Sequence, residues 1–270
     1  MKKINREEIQ PILLEILKAF KKYCKKNDIN FFMIGGTLLG AVRHKGFIPW
    51  DDDIDVGIFR SEYNKLTMLA EKNRYIDSKK RYKIILPLDD GHVYPFIKIV
   101  DTDTIAYEKK INKKHNTGLW LDVFPYDYAA DNEKEKNKVN KKQKLYKMFL
   151  QIGIAGELTF SQKLKRVIAY PVYRILTKGD YKYWVKKILH LPTVYRTKYI
   201  GDIVWLEGEK DMFPAEWLSD FVELEFEDDK YYAPKEYDKW LTHFYGDYMK
   251  LPKEEDRVIH DADAYYINKK

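Results

Sequence analysis

The sequence has little cysteine and no long apolar run. Cys24 is the single cysteine among 270 residues, so neither an internal disulfide nor a thiolate zinc site is expected, and Cys24 itself is predicted to lie in the core. The longest apolar stretch, residues 148–156, falls well short of the roughly 20 residues that span a bilayer. Glu7 and Glu8 interrupt the segment where a signal peptide would be apolar. We therefore expect a soluble or peripheral protein.

Motifs of several functional classes are also missing. There is no Gly-x-Ser-x-Gly turn, so a serine hydrolase is not indicated. The net charge of +7 favours an anionic partner such as a nucleotide, a phosphoglycan, a membrane surface or nucleic acid. The 22 tyrosines are scattered, and we find no motif that reads nucleic acid. No nucleic-acid partner is therefore expected.

An acidic run between two apolar segments is the most informative feature that is present. Asp51, Asp53 and Asp55 alternate along the chain, and alternate residues of a strand share one face, about 7 Å apart. Each neighbouring pair of like charges would cost roughly 2 kcal/mol at an effective dielectric constant near 20. A divalent cation would relieve this cost, and carboxylate oxygens favour Mg²⁺ or Mn²⁺. The alternative is a solvated acidic turn that caps the strand.

Two glycines precede this run, between a strand predicted over residues 29–34 and a helix predicted over residues 37–43. Gly35 and Gly36 allow the backbone to approach a phosphate closely, and a helix N-terminus attracts anions. The hydroxyl of Thr37 adds a hydrogen-bond donor. The segment is therefore either a phosphate-binding turn or a plain tight turn.

A cationic stretch and a tryptophan separate the glycines from the aspartates. Arg43 is the expected phosphate clamp, because a guanidinium group binds phosphate oxygens bidentately. His44 is either a general acid–base group or an exposed imidazole, and Lys45 adds positive charge for the donor phosphates. Trp50 is expected to pack in the core, and the alternative is stacking on a base or a choline cation.

Asp122 lies in an apolar strand predicted over residues 119–124. A buried carboxylate needs a charged partner or a metal ion. Asp122 is therefore either the third carboxylate of a metal site with Asp53 and Asp55, or the base that takes a proton from an acceptor hydroxyl. Asp51 is an additional candidate ligand. The remaining acidic and imidazole candidates are expected to be structural, and they are Asp52, Asp101, Asp103, Asp127, His243 and His260.

These segments together resemble a known signature. Residues 34–56 resemble the signature of LicD-type phosphocholine transferases, relatives of the fukutin group within the nucleotidyltransferase-fold superfamily. That superfamily has a strand, a glycine turn, a helix, a strand with Asp-x-Asp and a later strand with a third carboxylate. The corresponding segments here are residues 31–34, 35–37, 53–55 and 120–124, and residues 245–252 resemble the family's closing motif.

The resemblance implies a mixed α/β fold of nucleotidyltransferase type, with a mixed sheet flanked by helices. We expect a catalytic core over residues 1–130, a helical insertion over residues 131–215 and a C-terminal segment over residues 216–270 that packs back on the core. Three local details are also predicted. The first helix should begin near Glu8 because Pro11 suits a first turn. Ser61 should cap a helix, and Pro171 should kink or break another.

The resemblance also implies a reaction. The donor would be CDP-choline or a related CDP-alcohol, the acceptor a hydroxyl of a cell-surface glycan such as teichoic acid or lipopolysaccharide, and the cofactor Mg²⁺ or Mn²⁺. Asp53, Asp55 and Asp122 would be catalytic, and CMP would be released. One alternative is a nucleotidyltransferase that moves NMP from a nucleoside triphosphate. Another is a non-catalytic nucleotide- or choline-binding protein, which is disfavoured because all three carboxylate positions are filled.

The expected location is cytoplasmic, with contact at the inner face of the membrane as an option. Residues 163–178 mix cationic and apolar side chains, as in helices that lie on anionic membranes. Ordinary helix packing with solvated lysines is the simpler expectation, because Pro171 interrupts the periodicity. The oligomeric state, the alcohol and the acceptor glycan are not determined by the sequence.

Overall fold

The computed structural model describes residues 1–157, 160–193, 195–257 and 262–267. The α-helices in these ranges are α1 (Arg6–Lys26), α2 (Gly35–His44), α3 (Arg60–Lys72), α4 (Glu133–Ile154), α5 (Phe160–Thr177), α6 (Lys182–Leu189) and α7 (Tyr237–Tyr245). The strands are β1 (Lys2–Lys3), β2 (Phe32–Met33), β3 (Asp55–Phe59), β4 (Tyr82–Ile85), β5 (Ile97–Asp101), β6 (Thr104–Glu108), β7 (Trp120–Ala130), β8 (Tyr199–Gly201), β9 (Met212–Pro214), β10 (Phe221–Phe226), β11 (Asp229–Pro234) and β12 (Ala262–Tyr266).

A mixed sheet forms the centre of the fold. Its strands lie in the order β2, β3, β7, β5, β4, and β8 and β9 extend it along the second half of β7. β3 and β7 run parallel, whereas the other neighbours are antiparallel. α1, α3 and α4 contact this sheet. The prediction of a mixed α/β fold with a mixed sheet flanked by helices is confirmed.

β7 is the longest strand and connects the two parts of the sheet. It extends over 11 residues, past the predicted end at residue 124, because nearly all of its side chains are buried. On one edge it pairs with β5 up to Val123 and with β8 from Asp127 onwards. Pro125 lies between the residues that pair with β5 and those that pair with β8. Proline has no backbone N–H, and no antiparallel hydrogen bond is required at this position.

α1 covers the sheet with an apolar stripe. Its buried residues recur at steps of mostly three and four, and they are Ile9, Ile12, Leu13, Ile16, Leu17, Phe20 and Cys24. Cys24 is 1% exposed, which confirms its predicted core position. The predicted start near Glu8 is wrong, since the helix begins at Arg6 with Pro11 inside it. The backbone N–H of Asn5 donates to Glu8 Oε2 (2.9 Å), and this contact stabilises the earlier start.

Two other local predictions are also wrong. α3 begins at Arg60, so Ser61 lies within its first turn and does not cap it. Arg60 is held at that position by two hydrogen bonds to Asp127 on β7. α5 continues through Pro171, so the predicted break is wrong and the predicted kink is not tested. The carbonyl of Val167, which loses its helical partner there, lies on an exposed side of the helix where water can solvate it.

The helices α4, α5 and α6 form the segment between β7 and β8. α4 packs on both α5 and α6, and the chain then returns to the sheet at β8. None of the helices in the described ranges is long and apolar enough to cross a bilayer. The C-terminal strand β12 pairs with β1 and β6, which brings the end of the chain to its beginning. The proposed boundaries at residues 130 and 215 stay predictions.

Candidate active site

The parallel pairing of β3 with β7 brings carboxylates from two distant segments together. Asp55, the first residue of β3, stands in register with Asp122 on β7. Neighbouring strands lie about 4.8 Å apart, and residues in parallel register point to the same face. The two carboxylates therefore lie side by side at one end of the parallel pair.

The acidic run before Asp55 is not part of a strand. β3 begins only at Asp55, so the predicted alternation of Asp51 and Asp53 along one strand is wrong. A turn, in which the Asp51 N–H donates to the Ile48 carbonyl (2.9 Å), keeps the start of the run out of the sheet. The carboxylates nevertheless lie near one another. Burial raises the pKa of Asp55 well above its usual value, and the charges of Asp53, Asp122 and Asp51 raise it further. A cation would relieve this repulsion.

The two glycines adjoin this acidic cluster. They form the first turn of α2 itself, whereas the helix was predicted to begin at Thr37. Gly35 has a φ of +55°, a conformation that costs an L-residue roughly 1–2 kcal/mol. A Cβ added to Gly36 would lie 2.6 Å from Asp51 Oδ2, and one added to Gly35 would lie 3.2 Å from Asp55 Oδ2. The glycines thus leave space for carboxylates beside a helix N-terminus, and the phosphate contact stays a prediction.

Thr37 connects α2 to the acidic cluster. Its hydroxyl oxygen accepts a hydrogen bond from the Asp55 backbone N–H (2.9 Å), and the residue is 4% exposed. This bond fixes Asp55 relative to the first turn of α2. Thr37 therefore positions a carboxylate, and its predicted contact with a donor phosphate is not tested.

We expect Gly36→Ala to impair the site more than the fold. The added methyl would displace the Asp51 carboxylate, which lies at the end of a movable side chain. Turnover should fall roughly tenfold to a hundredfold, while the free energy of unfolding should change by less than about 1 kcal/mol. Gly208→Ala is the matched control, since a Cβ there meets nothing within 4 Å. Equal turnover in the two variants would contradict a role for Asp51 in the site.

Asp122 is held by two neighbours. Its Oδ2 accepts the indole N–H of Trp120 (3.0 Å). Lys98, its partner on β5, places Nζ 3.2 Å from Oδ1, yet this buried oxygen accepts no hydrogen bond from the described residues. Burial raises the pKa of Asp122 to about 6, and Lys98 opposes that rise while Glu108 and Asp53 add to it. Oδ1 therefore faces the Lys98 ammonium group, and a bound metal ion would share this oxygen with Lys98.

Lys98 is the component of the site that the sequence prediction missed. It is 2% exposed. Its Nζ lies 3.8 Å from the ring centroid of Trp120, 4.4 Å from that of Tyr94 and 3.9 Å from Glu108 Oε1. Aromatic faces and carboxylates stabilise a buried ammonium group. The signal was a lysine in the middle of an apolar strand, which needs a counter-charge for the same reason as Asp122 does.

The cationic residues lie at the other end of α2. Arg43 follows Gly35 by eight residues, or roughly 12 Å along the helix axis. Its Nε donates to His44 Nε2 (3.0 Å) and its Nη1 to the Tyr248 carbonyl (2.8 Å). Burial, and then the Arg43 charge, lower the pKa of His44. Lys45 ends the helix in a left-handed conformation. Their contacts with donor phosphates stay predictions.

The closing motif also borders the acidic cluster. Tyr245, at the end of α7, is 45% exposed. Burial of its hydroxyl and the charges of Asp55, Asp51 and Asp53 raise its pKa. Tyr245 therefore remains a neutral O–H donor beside the carboxylates. The residue types of this motif alone indicated no chemistry.

Trp50 packs against the core, as predicted, but is only partly buried. The guanidinium carbon of Arg257 lies 4.3 Å from the ring centroid. The imidazole of His44 approaches its edge, with a centroid distance of 6.4 Å. One face of Trp50 is thus covered by the C-terminal segment, and stacking on a base or choline stays a prediction.

Two other carboxylates are structural, as predicted. Asp127 accepts two hydrogen bonds from Arg60, at 2.7 and 2.5 Å. Asp101 pairs with Arg81 (2.7 Å) and accepts the Asp103 N–H (2.9 Å), which closes the turn between β5 and β6. These four ionic groups are therefore engaged in holding the fold.

The donor set of the acidic cluster suits a hard divalent cation. Its ligands would be carboxylate oxygens, and Asp122 Oδ1 is a buried oxygen without a hydrogen bond in the described structure. No three His, Cys, Asp or Glu side chains in the described ranges converge closely enough to hold a metal ion. Mg²⁺ commonly takes one or two protein carboxylates and completes its shell with water and phosphates, so Asp53 and Asp55 would suffice with a donor bound.

His243 contacts the Lys210 carbonyl, and His260 lies outside the described residues.

Comparison with known proteins identifies the family. Residues 28–151 match the family model described as LicD/FKTN/FKRP, nucleotidyltransferase domain. The chain is 30% identical to the lipopolysaccharide cholinephosphotransferase LicD of Haemophilus influenzae over 241 residues. This alignment covers 79% of this chain and 86% of that protein. The chain belongs to the LicD family. The predicted family is thereby confirmed.

Mammalian relatives match shorter stretches of this LicD-family protein. The mouse ribitol 5-phosphate transferase FKRP is 38% identical over 122 residues, or 43% of this chain and 21% of that protein. The mouse ribitol-5-phosphate transferase FKTN is 27% identical over 118 residues, or 44% of this chain and 21% of that protein. These named relatives are phosphotransferases, so the prediction of a LicD-type phosphotransferase is also confirmed.

Proposed function

We propose that this LicD-family protein transfers a phospho-alcohol, specifically phosphocholine, from a CDP-activated donor to a hydroxyl of a cell-surface glycan. The register of Asp55 with Asp122 carries the proposal, because it assembles an acidic cluster beside a helix N-terminus. The likeness to a lipopolysaccharide cholinephosphotransferase supports choline as the alcohol. The ribitol phosphate transferases support the broader class of transferred group.

The reaction exchanges one P–O bond for another. The acceptor oxygen bonds to the phosphorus that carries the alcohol, the bond from this phosphorus to the bridging oxygen breaks, and CMP leaves with the electron pair. The acceptor hydroxyl gives its proton to Asp122 in this proposal. Burial has raised the pKa of Asp122 to about 6, which makes its carboxylate a better base near neutral pH.

Asp53 and Asp55 are the proposed ligands of Mg²⁺ or Mn²⁺, with Asp51 and Asp122 nearby. A bound ion would neutralise charge on the phosphates and on the departing CMP. The chain itself orients the ligands: Thr37 holds the backbone of Asp55. Trp120 and Lys98 hold Asp122, and the first turn of a helix such as α2 attracts an anion through its backbone N–H groups.

We expect Mg²⁺ or Mn²⁺ to stabilise the protein against heat. At a concentration of 100 times Kd, a ligand that binds only the folded state adds about 2.7 kcal/mol to the free energy of unfolding. Asp55→Asn should lose this rise in Tm. Asp90→Asn, which alters an exposed carboxylate paired with Lys182, is the control and should retain it. An equal rise in both variants would place the metal elsewhere.

The donor distinguishes this function from nucleotidyl transfer. The protein would be incubated with Mg²⁺, acceptor glycans and one of the CDP derivatives of choline, ethanolamine, ribitol or glycerol. We expect CMP release with a CDP-alcohol, and most of all with CDP-choline. Pyrophosphate from CTP or ATP would indicate NMP transfer instead. The absence of turnover with every CDP-alcohol would contradict the proposed donor.

The proposed location is the cytoplasm, where a free buried thiol such as Cys24 stays reduced. The proposal includes no nucleic-acid partner. It allows the acceptor glycan to be free or attached to a lipid carrier. A lipid-linked acceptor would place the reaction at a membrane surface.

A further inference from the structure

The outward side of α5 is apolar, although surface helices normally present polar residues to water. Its exposed apolar side chains are Leu164 (58%), Val167 (70%), Val172 (47%), Ile175 (80%) and Leu176 (51%). The expected core packing of this segment is wrong for these five side chains. The side chains of Lys165 and Ile168 lie outside the described residues. At 3.6 residues per turn, positions 164, 167, 171 and 175 follow one stripe, and positions 172 and 176 lie beside it.

The opposite side of α5 is fixed to the protein. Tyr173 is 1% exposed, and its hydroxyl donates to the Gly179 carbonyl (3.0 Å). A Cβ added to Gly153 of α4 would lie only 2.5 Å from this hydroxyl, so α4 packs tightly on Tyr173. Thr177, one turn later, is also buried. The packing of these residues therefore holds the apolar stripe towards solvent.

The charged residues within this segment are all positive. Residues 158–179 contain no aspartate or glutamate. Lys163, Arg174 and Lys178 are exposed and flank the stripe on one side, while Arg166 lies over the ring of Tyr170. Such a surface attracts an anionic plane and repels a second copy of itself.

We propose that α5 docks this protein on an anionic lipid bilayer, with its apolar stripe in the headgroup region and its cations on lipid phosphates. An exposed apolar stripe with a cationic border is the pattern of helices that lie in the membrane interface. Docking needs neither the metal nor the donor, so it stands apart from the proposed transfer reaction. It would keep the protein near the surface where a lipid-linked acceptor is found.

Sedimentation of the full chain with vesicles tests the proposal. At low salt the protein should bind vesicles of phosphatidylcholine with phosphatidylglycerol and not vesicles of phosphatidylcholine alone, and added salt should release it. Ile175→Glu should lower the partition coefficient about tenfold or more. Arg174→Gln should lower it roughly fivefold. Met68→Glu, at a 59% exposed position of α3, is the matched control and should bind as the wild type does.

Three results would overturn the proposal. The first is no binding to anionic vesicles at low salt, and the second is equal binding by Ile175→Glu and the wild type. The third is a wild-type dimer in sedimentation velocity that Ile175→Glu converts to a monomer while vesicles stay unbound, which would make the stripe an interface between copies. Transfer to a soluble acceptor is measured in parallel and should be unchanged in Ile175→Glu.

Discussion

Asp55→Asn is expected to reduce phospho-alcohol transfer about a thousandfold or more, which corresponds to roughly 4 kcal/mol at the transition state. Asparagine keeps the shape of the side chain and removes the charge that would bind the metal. The fold should not suffer. Because burial and neighbouring carboxylates raise the pKa of Asp55 in the folded protein, its ionised form is disfavoured there. In the absence of metal, the free energy of unfolding should therefore increase as pH falls from 7. The dependence on pH should be weaker in Asp55→Asn, which lacks this carboxylate.

Steady-state transfer and chemical denaturation, measured on the same preparations, check this prediction. Asp90→Asn is again the control, and it should match the wild type in both measurements. Transfer by Asp55→Asn within tenfold of the wild-type rate would show that the acidic cluster is not where the chemistry occurs. A large loss of stability would instead assign Asp55 a structural role.

Lys98→Met is expected to be the most destabilising single change near the site. Methionine retains an apolar stem of similar length, but Asp122 and Glu108 would lose their shared buried cation. Removing one partner of a buried ion pair typically costs 3–5 kcal/mol. Tm should fall by roughly 10 °C in a chain of this size.

A double variant separates the ion pair from simple packing. Lys98→Met combined with Asp122→Asn should recover much of the lost stability, because the nearer of the two carboxylate partners of Lys98 would no longer be charged, and Glu108, the other, is partly exposed to water. Lys186→Met, at an exposed position of α6, controls for the loss of a lysine and should be close to neutral. If the double variant lost as much free energy of unfolding as the two single variants together, the ion pair would not explain the burial of Lys98.

The sequence predicted the two strands that carry the site because their apolar patterns are strong. The segments containing Asp55 and Asp122 are bounded by buried residues in the structure, as expected from their composition. It did not predict the turn that takes Asp51 out of the alternation of the strand. The turn at Ile48 and the contacts of α2 are set by tertiary packing, which alternation of residue types does not encode.

The missed features share a cause, which is that a pattern along one segment does not say what lies opposite it. Lys98 is explained only by its register with Asp122, and Arg60 only by its contact with Asp127. For residues 163–178 the sequence likewise indicated a helix that mixes cationic and apolar side chains. It did not indicate that Tyr173 would be buried while five apolar side chains remained exposed.

The most direct test of the proposed phospho-alcohol transfer is ³¹P NMR of the acceptor glycan after reaction with CDP-choline and Mg²⁺. If the acidic cluster performs phospho-alcohol transfer, a phosphodiester resonance of choline phosphate on the glycan should grow in step with CMP, and Asp55→Asn should produce neither. A glycan that carries CMP, with phosphocholine released instead, would mean that the other phosphorus of the donor is attacked. That result would contradict the proposed function.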